Sequence, residues 1–259
     1  MIRDNRVKRS LLAGGRAFGA MVFEFFSPGL PQLCRNADAE FVLYDMEHTG
    51  LGFETLKTQC ALCRGLDIVP MARVPRAEYH FIARALDVGA FGVMVPMVAT
   101  AEEARHIVAC TRYPPDGRRG AAFGFPHDDY QGGDVGAKIA ALHERTLTIV
   151  QIETDEGLAN VEAIAAVRGV DALWVGQFDL TNFLGVPGQF QHPKYLAGIE
   201  RVLAACKANG KAPAFLAMDE SWAREYAARG FRLLGYGVDP LLYQEALRRG
   251  LAVLREHAR

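Results

Sequence analysis

The chain has 259 residues, half of them hydrophobic and 23% charged, with a formal net charge of −1. It is long enough to bury a large core, and it lacks the basic surplus that a nucleic-acid partner requires. The uncharged stretch Val88–Ala101 is too short to span a bilayer, and the opening MIRDNRVKRSLLAGG has no sustained apolar region before a small-residue cleavage site, so a cytoplasmic protein with no membrane partner is expected.

In chain order, the apolar runs Phe18–Phe23, Phe41–Met46, Ile68–Val74, Gly92–Pro96, Leu147–Ile152, Ala172–Val175, Ala212–Ala217 and Arg232–Tyr236 predict eight strands. They are mostly apolar at successive positions, as in a parallel sheet covered on both faces. Helical spacing of apolar residues falls between them, at Gly52–Arg64, Ala77–Val88, Ala101–Thr111, Glu156–Val167, Pro193–Asn209, Ser221–Arg229 and Pro240–Glu256. Gly65, Gly89, Gly210 and Gly230 stand at C-cap positions, and Thr100 with Glu103 reads as a capping box. Eight strands alternating with helices predict an α/β fold, a (β/α)8 TIM barrel forming a single domain over residues 1–259. The other candidate, a doubly wound sheet, wants a glycine-rich nucleotide turn after the first strand, and Glu24-Phe25-Phe26-Ser27 is not one. The Gly-, Pro- and Asp-rich stretch from Tyr113 to Arg145 is expected to hold at most one short helix.

Five scattered cysteines do not form a secreted disulfide framework. Cys60 and Cys63 have CxxC spacing, but no second such pair follows, and buried helix cysteines are the plainer reading.

In a barrel the active site lies at the C-terminal ends of the strands. Four successive strands end there in polar residues: Asp45-Met46-Glu47-His48, then Arg73, then Gln151-Ile152-Glu153, then Gly176-Gln177-Phe178-Asp179. The opposite ends offer little comparable chemistry. Glu153 and Asp179 are one βα unit apart, so adjacent strands bring two carboxylates together. Such a pair must bind a proton or share a cation, and an oxygen-ligated Mg2+ or Mn2+ completed by water and substrate fits it. Two solvated rim carboxylates, or a glycosidase pair, are the other readings. Arg73 points to an anion, either a substrate carboxylate or enolate or an ion-pair partner in Glu47 or Glu153. His48, beside Asp45, is a candidate for proton transfer. The other six histidines read as solvated, His127 least clearly so. None of the six lysines ends a strand, which disfavours a Schiff base and leaves metal Lewis-acid chemistry for a carbonyl substrate.

These residues resemble the metal-dependent (class II) pyruvate aldolases, the family of 2,4-dihydroxyhept-2-ene-1,7-dioate aldolase and 2-dehydro-3-deoxyglucarate aldolase, with citrate lyase β-subunits as more distant relatives. The similarity is carried by Tyr44-Asp45-Met46-Glu47-His48, Ala72-Arg73-Val74-Pro75, Ala85-Leu86-Asp87-Val88-Gly89-Ala90 and Val95-Pro96-Met97-Val98. It continues through Thr111–Gly120, Gln151-Ile152-Glu153, Val175–Leu180 and Gly235–Asp239, in family order over roughly residues 15 to 250. The resemblance implies reversible aldol cleavage of a 4-hydroxy-2-oxo acid to pyruvate, or a pyruvate analogue, and an aldehyde. It implies Glu153 and Asp179 as ligands of Mg2+, Mn2+ or Co2+, with the 2-oxo acid chelating that metal. Arg73 would stabilise the enolate oxygen, and His48, oriented by Asp45, would handle the proton on the aldol hydroxyl through water. Gln151 would support the metal ligands, and backbone N–H groups around Gly176, Gln177 and Phe178 would hold the pyruvate carboxylate. A last helix packed on a neighbouring subunit, in a homo-oligomer that is commonly a hexamer built as a trimer of dimers, is also implied. Two departures stand out: Gln177-Phe178 where many relatives carry Pro-Ala or Pro-Asn, and Phe125–Tyr130 in place of an alanine–arginine-rich segment. They leave open the acceptor aldehyde, and oxaloacetate-type decarboxylation as an alternative activity. A non-catalytic barrel that binds a metal and a carboxylate is a third reading, which the intact Asp45, His48, Arg73, Glu153 and Asp179 set disfavours.

Overall fold

The computed structural model describes residues 2–257. Eight strands close into a parallel barrel in chain order: β1 Ala17–Val22, β2 Phe41–Asp45, β3 Val69–Arg73, β4 Gly92–Val95, β5 Leu147–Ile152, β6 Ala172–Val175, β7 Ala212–Ala217 and β8 Leu233–Val238. All eight lie within or near the apolar runs read from the sequence. Residues alternate across each strand, and this splits the core in two. Met21, Leu43, Met71, Met94, Ile149, Trp174 and Leu216 fill the barrel interior. Their strand neighbours Val42, Ala72, Val93, Val150, Leu173 and Phe215 face the helices.

The helices are α1 Arg6–Leu12, α2 Leu30–Asn36, α3 Phe53–Leu62, α4 Tyr79–Asp87, α5 Ala101–Thr111, α6 Val135–Arg145, α7 Asp155–Ala159, α8 Val161–Ala165, α9 Gln177–Phe183, α10 Pro193–Ala208, α11 Glu220–Arg229 and α12 Asp239–Glu256. The Thr100–Glu103 capping box is present at the start of α5. Three helices of seven residues each, α1, α2 and α9, escape the sequence pattern because so short a segment shows barely two turns of periodicity. The helix expected over Glu156–Val167 divides at Asn160, which ends α7 and begins α8. The Tyr113–Arg145 stretch holds more than the one short helix expected. A 3-10 turn at Pro126–Asp128 precedes the 11-residue α6, whose first turn is capped by the Asp134 carboxylate accepting from Ala137 N–H.

One sector of the barrel differs from the rest. Alternate residues on β1 and β8 remain open, with Phe18 at 48% and Tyr236 at 40% exposure. The reason is α12, none of whose residues is buried although Leu242, Tyr243, Leu247 and Leu251 lie along it.

Candidate active site

Strand register assembles the polar rim. Asp45 on β2 is the direct partner of Arg73 on β3, and Gln151 on β5 is the partner of Trp174 on β6. A cavity of about 310 Å3 opens among the C-terminal strand ends. It is lined on one side by His48, Arg73, Gln151, Gln177 and Asp179, with Gly176 and Phe178 between them. None of the six lysines lines it.

Asp45 is fully buried, and both of its oxygens are committed. Oδ1 accepts from Arg73 Nε at 2.6 Å and from Glu47 N–H at 3.0 Å, while Oδ2 accepts from His48 N–H at 3.0 Å. The expectation that Asp45 orients the His48 imidazole is therefore corrected. An aspartate readily bonds backbone N–H groups two and three residues onward, so Asp45 shapes the turn that carries His48. The imidazole itself is well exposed, with Nε2 3.6 Å from a Glu47 carboxylate oxygen. Arg73 completes the cluster through Nη1 at 3.1 Å from Glu47. Its ion pairs are with Asp45 and Glu47, and it still lines the cavity.

Glu153 is 2% exposed and is held from two sides. Oε1 accepts from Met97 N–H at 2.6 Å, and Oε2 accepts from Gln151 Nε2. Met97 adopts φ 58°, a left-handed conformation uncommon for a side chain of this size, and its N–H meets the carboxylate in that turn. Gly176 has its own constraint: a Cβ there would lie 2.1 Å from Glu153 Oε2 and 2.6 Å from Gln151 Nε2, so only glycine fits beside that carboxylate. The Gly176 N–H donates to Ile152 O, which removes it from the donors expected to hold a substrate carboxylate. The N–H groups of Gln177, Phe178 and Asp179 open α9 and lack intrahelical acceptors. The Gln177 side chain is buried and donates to Leu216 O at 3.1 Å, tying β6 to β7.

Among the described residues neither Glu153 nor Asp179 forms an ion pair, whereas Asp45 and Glu47 share Arg73. Burial, reinforced by the negative charges of Glu47 and Asp179 and opposed by the Met97 N–H, pushes the Glu153 carboxyl up to about 7. Burial likewise pushes Glu47 up to about 7, against the pull of Arg73 and with the push of Asp45 and Asp179. Asp179 lies close enough to add the push of its negative charge on both Glu47 and Glu153. Glu47 is the residue that sequence reasoning undervalued, treating it only as an ion-pair partner. Its position two residues after Asp45 on the same rim turn was the available signal.

The remaining wall is apolar, formed by Met21, Phe23, Leu216, Met218 and Val238 with Trp174 and Phe178. Away from the rim, the CxxC thiols are free and buried, and burial pushes the Cys63 thiol up to about 11, so neither redox nor zinc chemistry is in evidence there. Two histidines read as solvated are not. His127 is 2% exposed, and His143 accepts from Tyr113 N–H through Nε2 at 2.8 Å.

Residues 21–246 match the HpcH/HpaI aldolase/citrate lyase family. Among curated relatives, the chain is 33% identical over 252 residues to 2-keto-3-deoxy-L-rhamnonate aldolase of Klebsiella pneumoniae, covering 97% of this chain and 94% of that one. It is 39% identical over 207 residues to hydroxypyruvate/pyruvate aldolase of Chromohalobacter salexigens, covering 80% and 81%. Among solved structures, an HpcH/HpaI aldolase/citrate lyase family protein from Burkholderia cenocepacia superposes with a TM-score of 0.90 at 32% identity, over 97% of this chain and 99% of that one. The barrel, its rim and these similarities together make the chain a member of the HpcH/HpaI aldolase/citrate lyase family, an enzyme of the class II pyruvate-aldolase type that acts as a carbon–carbon lyase.

Proposed function

We propose that the chain catalyses reversible aldol cleavage of a 4-hydroxy-2-oxo acid to pyruvate, or a close analogue, and an aldehyde, with Glu153 and Asp179 holding a divalent cation. The observation that carries this reading is the buried Glu153 carboxylate, which is held by Met97 N–H and Gln151 Nε2, has no ion-pair partner among the described residues and feels the negative charge of Asp179. Like charges gathered in a buried space call for a proton or a cation. The donor set is all oxygen, which suits Mg2+, Mn2+ or Co2+, and it is limited to two carboxylates, since among the described residues no group of three or more His, Cys, Asp or Glu is placed to hold a metal ion. Two carboxylates with space left for water and substrate is the pattern expected for such ions. The glycine at 176 keeps that space free of a side chain.

When bound, the cation supplies Lewis-acid polarisation of the substrate keto group. Arg73, pinned by Asp45 and Glu47, is placed to stabilise the negative charge of an enolate oxygen. Pinning matters because a guanidinium already held in place needs no reorganisation as charge develops. His48, exposed at the cavity edge, exchanges a proton with the aldol hydroxyl by way of water. Gln151 fixes the Glu153 carboxylate, and the N–H groups of Gln177 and Phe178 face the substrate carboxylate. Stripping metal with a chelator should abolish pyruvate release, and readding Mn2+ should restore it. Full activity in a metal-free preparation, or inactivation by borohydride with substrate, would defeat the reading.

The same proposal extends to assembly, as a homo-oligomer in the cytoplasm with α12 packed on a neighbouring copy, a hexamer by analogy. The support is the open sector described above. An apolar groove lined by Phe18, Leu30, Leu33 and Leu242 flanks β1 and α2, where a barrel's last helix would ordinarily lie. All five cysteines are free, as suits a reducing compartment. Light scattering that gives a monomer mass for the full chain would exclude the assembly.

A further inference from the structure

The cavity is divided by chemistry in barrel order. Its ionic and amide side chains come from β2, β3, β5 and the turn after β6, and of these the proposed reaction assigns Arg73, Gln151 and Asp179 to the oxo acid and its cation. From β6 round through β7 and β8 to β1, the lining is Trp174, Leu216, Met218, Val238 and Phe23, with Phe178 at the junction. We infer that this apolar arc is the subsite for the second reaction partner, and that it selects uncharged aldehydes carrying an aliphatic or aromatic substituent over aldehydes that end in a carboxylate. The inference rests on the aldolase reading and names the acceptor class within it.

Three observations carry the selection. First, Arg73 is the only lysine or arginine among the described residues that line the cavity, and it is engaged by Asp45 at 2.6 Å and Glu47 at 3.1 Å. A second substrate carboxylate seated on the arc would lose its water and find no cation. Second, apart from Arg73 and the His48 imidazole, the one ionisable side chain among the lining residues is the Asp179 carboxylate, which offers a second substrate carboxylate no partner. Third, the arc is rigid where it is most exposed. The Phe178 ring, 51% exposed, stands edge-on to Phe190 at 5.2 Å, and Phe190 stands edge-on to Trp222 at 4.7 Å. A fixed aromatic edge offers contact area at little entropic cost. The arc also separates aldol chemistry from oxaloacetate-type decarboxylation, which releases carbon dioxide and needs no place for an aldehyde side chain.

The chemistry closes without a further reagent. In the synthetic direction pyruvate C3 gives up a proton, its electron pair forms the new bond to the aldehyde carbon, and the aldehyde oxygen takes up a proton. Matched acceptors test the selection. With pyruvate and Mn2+, kcat/KM for carbon–carbon bond formation is compared for benzaldehyde against 4-carboxybenzaldehyde, and for propanal against glyoxylate. Solvent exchange of the pyruvate methyl protons is followed separately. The expected result is proton exchange together with a preference of about 100-fold for the uncharged member of each pair. Met218→Arg, which places a cation on the arc, should shift the ratio toward 4-carboxybenzaldehyde by at least about 10-fold. Proton exchange combined with equal or better use of the carboxylated aldehydes would overturn the acceptor inference and leave the enolate reading standing. An unchanged ratio in a folded Met218→Arg protein would show that the arc does not set the choice. Absence of proton exchange would remove the aldolase reading, and this inference with it.

Discussion

The two ends of the barrel both bury carboxylates, and they treat them in opposite ways. At the N-terminal end Asp129 meets Arg3 at 2.7 Å, Arg145 at 3.4 Å and Arg64 at 3.8 Å, and Asp128 meets Lys138 at 2.8 Å. Asp171 there meets Lys8 at 3.1 Å and accepts from Thr148 N–H at 2.8 Å. Burial works against the charge on Asp128 and Asp129, yet hydrogen bonds from Gly124 N–H and Lys138 to the first, and from Arg3 to the second, hold both below the usual carboxylate range. At the C-terminal rim, burial wins, and Glu47 and Glu153 rise to about 7. Buried charge alone therefore does not mark a site. What marks the rim is that Glu153 and Asp179 have no ion-pair partner among the described residues, while Asp45 and Glu47 share the single Arg73.

The contrast is broken most sharply by removing one carboxylate from each end. Glu153→Gln should lower pyruvate release by about 1,000-fold or more while leaving the melting temperature of the metal-free protein unchanged or higher, because it removes an uncompensated buried acid. A parallel loss of stability would mean that Glu153 is structural. Asp129→Asn should do the reverse. It strands Arg145 and Arg3 and should cost about 3 kcal/mol in denaturant unfolding, with activity per folded molecule preserved.

A smaller effect separates charge from geometry within the rim. Arg73→Lys keeps one positive charge but loses the planar fork that spans Asp45 and Glu47. Its kcat should fall about 100-fold with a smaller change in KM. The smallest effect is the pH dependence of the metal-free protein. Two carboxyls that titrate near 7 when folded and near 4.5 when unfolded bind more protons in the native state between those values. Native stability therefore declines as pH rises through that window, and differential scanning calorimetry should show a fall of roughly 5 °C between pH 5 and pH 8. Saturating Mn2+ should flatten the part of the decline that Glu153 contributes, since the ion displaces that proton.

The barrel was legible because its signal is distributed. Eight runs such as Leu147–Ile152 and Ala172–Val175 are apolar on both faces, and no single misreading changes the topology. The rim residues were legible for a related reason, since each lies at or within four residues of the C-terminal end of its strand. The contacts among them were not. Asp45 spends both oxygens on Arg73 and local N–H groups, a choice between the imidazole and the backbone that spacing alone does not decide. The charged end opposite the rim was also misjudged. Arg3, Asp129 and Arg145 lie up to 142 positions apart and meet only through tertiary packing. The apolar arc was invisible as a unit, because Phe23, Met218 and Val238 belong to three different strand ends and look like ordinary core.

The account turns on Glu153 and Asp179 sharing one cation. Titration with Mn2+, read as loss of the free-ion electron paramagnetic resonance signal, measures this without reference to turnover. One ion bound per chain, with affinity lost by a factor of 10 or more in Glu153→Gln and in Asp179→Asn, is the predicted result. Undiminished binding in both folded variants would contradict it.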